Sequence, residues 1–338
     1  MNALIAVSHD NLEYGETGEP KLELGHVLIR VAGCGICGTD MHVYKGMAST
    51  WPTPGIRGHE FAGTVQACAE DVEGFAPGDR VVVQPLLFCG VCRSCVAGRR
   101  NLCSDINLIG GEKPGGFAEY AAIPASNLFR IPDTLPLSHA ALVEPLATAV
   151  HALERNWSPE MESMVIFGAG AQGLMLLQVA LFLGIKRVAV TDVVESRLEL
   201  ALELGATRAI HSMKEDALAA ALEMNGGAEV DLTVDAAGIT STRQQALACL
   251  RPGGTAIFLA LGAAPTPVDF MGVVGKELKL TGTQCYTERD FAKAIQYLAH
   301  GCVSAEKLIS EVPLSEGAQA FRRLAADPGR MIKVVLVP

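Results

Sequence analysis

"SMVIFGAGAQGLMLLQVA" occupies residues 163–180. An apolar run passes through Gly168, Gly170 and Gly173 into a second apolar stretch that reaches Gly184. GxGxxG spacing alone means little in a chain with 35 glycines. Its setting gives it weight. A strand-like segment precedes it, a helix opens on it, and a second strand-like segment, "RVAVTD" (187–192), ends in Asp192 about 20 residues beyond the last glycine. In that setting the first glycine permits a tight turn, the second lets backbone approach a pyrophosphate, and the third lets the helix lie on the strand. The helix N-terminus offers N–H groups and the positive end of its dipole to the phosphates. Gly168, Gly170, Gln172, Gly173, Asp192 and Arg197 are therefore the candidate dinucleotide-binding residues. Asp192 can accept hydrogen bonds from the adenosine ribose hydroxyls and repels a 2′-phosphate. Arg197 raises the question of NADP, but the acidic residue ends the strand, so NAD is expected.

Strands and helices keep alternating on the C-terminal side. "TRAIH", "VDLTVDAAG" and "GGTAIFLALG" have strand composition; "ESRLELALELG" and "TRQQALACLRPGG" have helical spacing. Such alternation predicts an α/β class with a doubly wound parallel sheet over 145–284. Residues 1–144 differ, with short β-branched runs such as "HVLIRVAGCG" and "GDRVVVQPL" broken by glycine and proline. They predict an irregular, mostly β domain. The rhythm changes at "SHAALVEPLATAVHALERN" (138–156), and 285–338 holds one helix, "ERDFAKAIQYLAHG", and a closing strand, "RMIKVVLVP".

Composition narrows the function. The chain has 338 residues, 49% hydrophobic and 19% charged, with a formal charge of -10. That balance excludes a nucleic-acid partner, which needs a concentrated basic patch. The longest apolar run, "GLMLLQVALFLG" (173–184), is too short to span a bilayer and contains Gln178, so no membrane partner is expected. "MNALIAVSHD" lacks the basic and apolar segments of a secretory leader, and a cytoplasmic location is expected.

In a reducing compartment clustered cysteines are metal ligands or catalytic groups. "CGVCRSCVAGRRNLC" spaces Cys89, Cys92, Cys95 and Cys103 as C-x2-C-x2-C-x7-C, four thiolates able to close tetrahedrally on a structural zinc. An iron–sulfur signature begins alike but continues x3-C-P, whereas here Ser104 follows Cys103. A second pair, Cys34 and Cys37, lies in "CGICGTDMHVYKG" (34–46). A redox dithiol is one reading of the pair, but its setting is a glycine-rich turn rather than a thioredoxin-like βαβ unit. Cys68, Cys249, Cys285 and Cys302 are scattered and read as small buried hydrophobes. "GIRGHEFAG" (55–63) and "ALVEPLATAV" (141–150) add His59, Glu60 and Glu144. With Cys37 they exceed the three protein ligands of a catalytic zinc, whose fourth position stays open.

These motifs together, "GCGICGTDMH", "GHEFAG", "PGDRVVV", the cysteine lobe (about 86–105), "GGFAEY", "EPLATAVHA", "FGAGAQG" and "TD", run essentially end to end and resemble the zinc-dependent medium-chain dehydrogenases of the alcohol and polyol superfamily. The resemblance implies a GroES-like catalytic domain over 1–144, a Rossmann domain over 145–284, and a return to the first domain over 285–338. It implies two zinc ions, one structural and one catalytic. Cys37 and His59 would hold the catalytic zinc; Glu144 stands where many alcohol dehydrogenases carry a cysteine, as in the sorbitol and threonine branches, and Glu60 would sit beside the ion or bind it. Asp40 matches the carboxylate that orients the ligand histidine. Zinc would lower the pKa of the substrate hydroxyl, and NAD would accept hydride. Thr39 and His42 are the candidate proton path. The implied partner is a small-molecule alcohol, expected to be a polyol or sugar alcohol, with threonine, butanediol and a sugar-alcohol phosphate as alternatives; Tyr44, Lys45, Arg57 and Glu119 are polar residues able to meet it. A homodimer or homotetramer is expected. A non-catalytic relative would have lost zinc ligands, and none is missing.

Overall fold

In the computed structural model, which describes residues 1–47, 51–262, 265–327 and 329–338, the stretch 163–180 is a strand, Ser163–Phe167, a turn, and a helix, Ala171–Phe182. Every residue of the strand is buried, as expected for a strand covered on both faces. It lies between Arg187–Asp192 and Val230–Asp235 in a six-stranded parallel sheet. The full order is Arg208–His211, Arg187–Asp192, Ser163–Phe167, Val230–Asp235, Leu250–Phe258, Lys279–Gly282. This is the doubly wound order, with the chain reversing its direction of travel at the first strand. Helices Glu195–Glu203, Ala217–Met224 and Thr240–Ala248 serve as crossovers. The helices Ala171–Phe182 and Glu195–Glu203 run out into Gly184 (φ 97°) and Gly205 (φ 100°), where the next N–H reaches back to Ala180 and Ala201.

Residues 148–286 form one compact unit; residues 1–147 with 287–338 form the other. The second of these is built on a seven-stranded sheet. Its path runs Leu128–Arg130, Arg80–Val83, Glu60–Cys68, His26–Gly35, Lys333–Val337, Ile309–Pro313, and Tyr120–Pro124 also pairs with His26–Gly35. Val27, Ile29, Phe61, Val81, Phe117 and Leu336 fill the core beneath it. The helix expected from 138 onward is broken at Ala141 and Leu142, leaving Leu137–Ala140 and Val143–Glu154. Among the described residues no helix is long and apolar enough to cross a membrane.

The turn after Ser163–Phe167 has no room for a side chain at its third glycine. A Cβ on Gly173 would lie 1.8 Å from the Gly168 carbonyl oxygen, a backbone atom that cannot swing aside. Gly173→Ala is therefore expected to cost at least about 1–3 kcal/mol of stability, read as a lowered urea midpoint. Gly170→Ala, with nothing within 4 Å of the added carbon, should leave that midpoint unchanged.

Candidate metal centres and dinucleotide site

The strand pair His26–Gly35 and Glu60–Cys68 builds the first site by its register. The strands are antiparallel, with Cys34 opposite Phe61 and Gly35 opposite Glu60. The chain leaving one strand toward Cys37 therefore runs beside the residue entering the other, His59. Cys37 then caps the helix Gly38–Tyr44: its Sγ accepts from the Thr39 N–H at 3.5 Å, and Asp40 Oδ2 accepts from the Cys37 N–H at 2.9 Å. These reciprocal bonds form a capping box and hold the thiol in place. Donor atoms of Cys37, His59 and Glu60 lie within 4.8 Å of one another. Glu60 folds across the strand only because its neighbour is glycine, since a Cβ on Gly35 would lie 2.2 Å from Glu60 Oε2.

Asp40 and His59 are both buried, and their facing atoms, Oδ1 and Nδ1, stand 3.8 Å apart with no hydrogen bond to either. Unpartnered buried polar atoms cost about 1–3 kcal/mol each. With Nδ1 turned to a carboxylate, Nε2 is the nitrogen left for a metal. Burial pulls the His59 pKa down, but Asp40, Cys37 and Glu144 overcome it and hold the imidazole well above its usual value. Burial dominates at Asp40 and raises its carboxyl despite His59. A field that keeps a proton on a buried imidazole is a field that attracts cations, and thiol, imidazole and carboxylate suit zinc. The residues fit that ion.

Glu144 opens the helix Val143–Glu154, nearly buried, and acts electrostatically on His59 and Lys333. It lies outside the compact three-donor group. Lys333 is the residue that sequence reasoning passed over. It begins the strand Lys333–Val337, and its Nζ donates to both Glu60 oxygens at 2.7 Å and to the Ile36 carbonyl at 3.1 Å. The only signal was a lysine at the head of an apolar run, "KVVLV". Burial alone would lower its pKa, but Glu60, Cys37 and Glu144 raise it. Thr39 is exposed, its hydroxyl 3.7 Å from Cys37 Sγ, and His42 is exposed one turn along the helix.

Two residues weighed as substrate contacts are committed elsewhere. Arg57 is buried and donates to the Gly111 and Pro52 carbonyls, and Glu119 accepts from both the backbone and the side chain of Asn2. Tyr44 packs against Phe321, ring centroids 5.4 Å apart, while Lys45 is exposed. Of the four scattered cysteines only Cys249 is fully buried; Cys68, Cys285 and Cys302 are half-buried. Burial raises Cys249 to about 12 and Cys302 to about 11, which makes both poor nucleophiles.

The second metal centre is the cysteine lobe. The sulfurs of Cys89, Cys92, Cys95 and Cys103 all lie within 4.8 Å of one another. Cys103 Sγ is 3.6 Å from that of Cys89 and 4.0 Å from that of Cys92. A tetrahedron with Zn–S bonds of about 2.3 Å has edges of about 3.8 Å. Backbone N–H groups already point at the sulfurs: Cys92 donates to Cys89 Sγ, and Cys89 and Asp105 to Cys103 Sγ, at 3.3–3.4 Å. N–H groups of Ser104 and Cys95 bring Cys92 down to about 5, while burial and Cys92 push Cys95 up to about 12. Thiols so close, with donors aimed at them, fit a zinc ion.

In the unit 148–286, Gly168 turns at φ 108° and Gly170 caps the helix Ala171–Phe182 with open space where its Cβ would be. A cradle of this kind admits a pyrophosphate against bare backbone. Asp192 Oδ2 accepts from the Ala169 N–H at 2.7 Å, and Oδ1 from the Val193 and Val194 N–H groups. The carboxylate thus ties the glycine turn to the end of the second strand, at the place where ribose hydroxyls are bound in such folds. Gln172 lies in the first helical turn, and Arg197, in the helix Glu195–Glu203, has a buried Nε with no hydrogen-bond partner.

Two outcomes follow. Cys92→Ser should remove about one zinc per chain, counted by atomic emission, and lower the thermal midpoint, because a structural site contributes folding energy directly. Asp192→Asn keeps an acceptor for the Ala169 N–H but loses the charge; it should shift the NAD-to-NADP ratio of kcat/KM by about tenfold, about 1.4 kcal/mol. An unchanged ratio would remove Asp192 from cofactor selection.

Residues 23–133 match the alcohol dehydrogenase GroES-like domain, and residues 171–300 match the zinc-binding dehydrogenase family. An L-threonine 3-dehydrogenase of Anaeromyxobacter sp. (strain K) is 37% identical over 287 residues, covering 83% of each chain. A structure called short chain alcohol dehydrogenase (rspB) from E. coli CFT073, in complex with NADH, aligns over 100% of this chain and 99% of its own, at 30% identity and TM-score 0.93. Galactitol-1-phosphate dehydrogenase from Escherichia coli aligns over 100% of both chains, at 28% identity and TM-score 0.92. The doubly wound sheet and the GroES-like domain are thus those of a known enzyme family: the chain belongs to the zinc-dependent medium-chain dehydrogenase superfamily, whose members are NAD(P)-dependent oxidoreductases acting on small molecules.

Proposed function

We propose that this chain oxidises a secondary alcohol of a polyol or sugar alcohol with NAD, giving a ketose or ketone. The observation that carries the reading is the cluster of Cys37, His59 and Glu60, with Asp40 behind His59 and Glu144 within electrostatic reach. When bound, zinc supplies a Lewis acid that acidifies the substrate hydroxyl, and NAD supplies a hydride acceptor.

The protein's own residues do the rest. Cys37 and His59, with Glu144, are assigned as the zinc ligands, and Asp40, 3.8 Å from Nδ1, orients the His59 ring by its charge. Glu60, paired with Lys333, lies beside the ion. Thr39 Oγ1, 3.7 Å from Cys37 Sγ, would take the hydroxyl proton, and His42, exposed on the following turn, would receive it through the cofactor ribose and pass it to water. Asp192 favours NAD by repelling a 2′-phosphate.

A carboxylate, Glu144, rather than a cysteine at the third position supports the polyol side of the family, as does the likeness to galactitol-1-phosphate dehydrogenase. L-threonine is the second reading, favoured by the 37% identity to L-threonine 3-dehydrogenase. The reading includes a homodimer or homotetramer. Exposed Phe270, Met271 and Val274, together with the edge strand Lys279–Gly282, support self-association. A cytoplasmic location is supported by the clustering of Cys89, Cys92, Cys95 and Cys103, an arrangement of metal ligands suited to a reducing compartment.

An NADH-absorbance screen of polyols, their phosphates, butanediol and threonine, run with NAD and NADP in parallel, tests the substrate. A polyol should give the highest kcat/KM, and exclusive turnover of threonine would replace the first reading with the second. Cys37→Ala should abolish turnover while leaving NADH binding, read by fluorescence, intact. Thr39→Val should lower kcat by roughly a hundredfold.

A further inference from the structure

Glu60 holds an awkward position. Its carboxylate is one of three donor groups within 4.8 Å of one another, it is wholly buried, and it lies in the space that the bare backbone of Gly35 leaves. Yet both of its oxygens accept from one ammonium, Lys333 Nζ, at 2.7 Å. Lys333 is itself only 4% exposed, and among the described residues its one other acceptor is the Ile36 carbonyl at 3.1 Å. The two residues are 273 positions apart in sequence. They meet because the strand Lys333–Val337 runs beside His26–Gly35, with Val335 opposite Gly35.

A cation bound to Cys37 and His59 competes with this ammonium for the same carboxylate. To give Glu60 to the metal, the protein would have to leave a buried ammonium with a single carbonyl partner. Breaking a buried pair from one side is costly, because the remaining charge stays out of water. We infer that Lys333 is a positioning residue that holds Glu60 out of the coordination of the metal at Cys37 and His59, so that the closing strand of the chain decides how many protein ligands the metal has. Glu144, outside this pair, is then the carboxylate assigned as the third ligand, and a position remains open for substrate. The inference rests on Cys37 and His59 holding a metal.

Cobalt(II)-substituted protein tests it, with the spectrum of the Cys37→Ser variant subtracted so that the cysteine lobe cancels. The remaining d–d and thiolate-to-cobalt bands report the site at Cys37. With Lys333→Met, Glu60 should enter the coordination sphere: the d–d bands should weaken and shift as the ligand number rises, and release of cobalt to a chelator should slow by about tenfold. Lys333→Met/Glu60→Gln should return the parent spectrum. Glu60→Gln alone, nearly isosteric, should leave the parent bands unshifted and keeps the inference testable if Lys333→Met does not fold. A Lys333→Met spectrum identical to the parent, or bands that move with Glu60→Gln alone, would overturn it. If no band depends on Cys37, the metal reading itself fails, and the inference with it.

Discussion

Everything at the cluster of Cys37, His59 and Glu60 depends on the hydrogen-bonded register between His26–Gly35 and Glu60–Cys68. A strand slipped by one residue turns every side chain to the opposite face. Here such a slip would take Glu60 from the site and replace it with the core residue Phe61. The register carries two irregularities, between Leu28 and Ile29 and between Val31 and Gly33. Bulges of this kind re-aim side chains near active sites. On the far edge of the first strand, Lys333–Val337 pairs with Cys34 and Gly35, so the site is braced by residues from both ends of the chain. The donors therefore project from strand ends and a capped helix rather than from a free loop, which is how a rigid site is best held.

The two metal centres are built on different physics. In the cysteine lobe, neighbouring N–H groups donate to the sulfurs, and the four thiols stand close enough to close on one ion. At Cys37 and His59 the surroundings are buried charges: Asp40, Glu60 and Lys333 all lie out of water. Removing such charges from water costs more than their mutual attraction returns unless the geometry is good. The orphaned Asp40 Oδ1 and His59 Nδ1 show where that cost is concentrated.

Much of the fold was legible, because its signals are local. The strand–glycine–helix turn at 163–180 and the strand alternation after it rest on short-range spacing, and the strands Ser163–Phe167 and Arg187–Asp192 have the bounds that their apolar runs suggest. The helix Ala217–Met224 was not legible, because "ALAAALEM" has helical propensity but no polar stripe to set it apart. At the site, Cys37, His59 and Glu60 stood out through the family resemblance of "GCGICGTDMH" and "GHEFAG", and the structure groups their donors. Lys333 did not, since its partner is remote in sequence and nothing local marks a lysine that will be buried. Arg57 and Glu119 were weighed as substrate contacts because they are polar; the carbonyls and the N–H that they satisfy become visible only in three dimensions. Spacing finds residue types, whereas the partners that use up a side chain's hydrogen bonds come from topology.

Anomalous diffraction from crystals at the zinc absorption edge addresses the central claim most directly. Two peaks per chain are expected. One should lie about 2.3 Å from each of the four lobe sulfurs, and the other about 2.3 Å from Cys37 Sγ and about 2.0–2.1 Å from a His59 nitrogen. A single peak, or a second one away from Cys37 and His59, would contradict it.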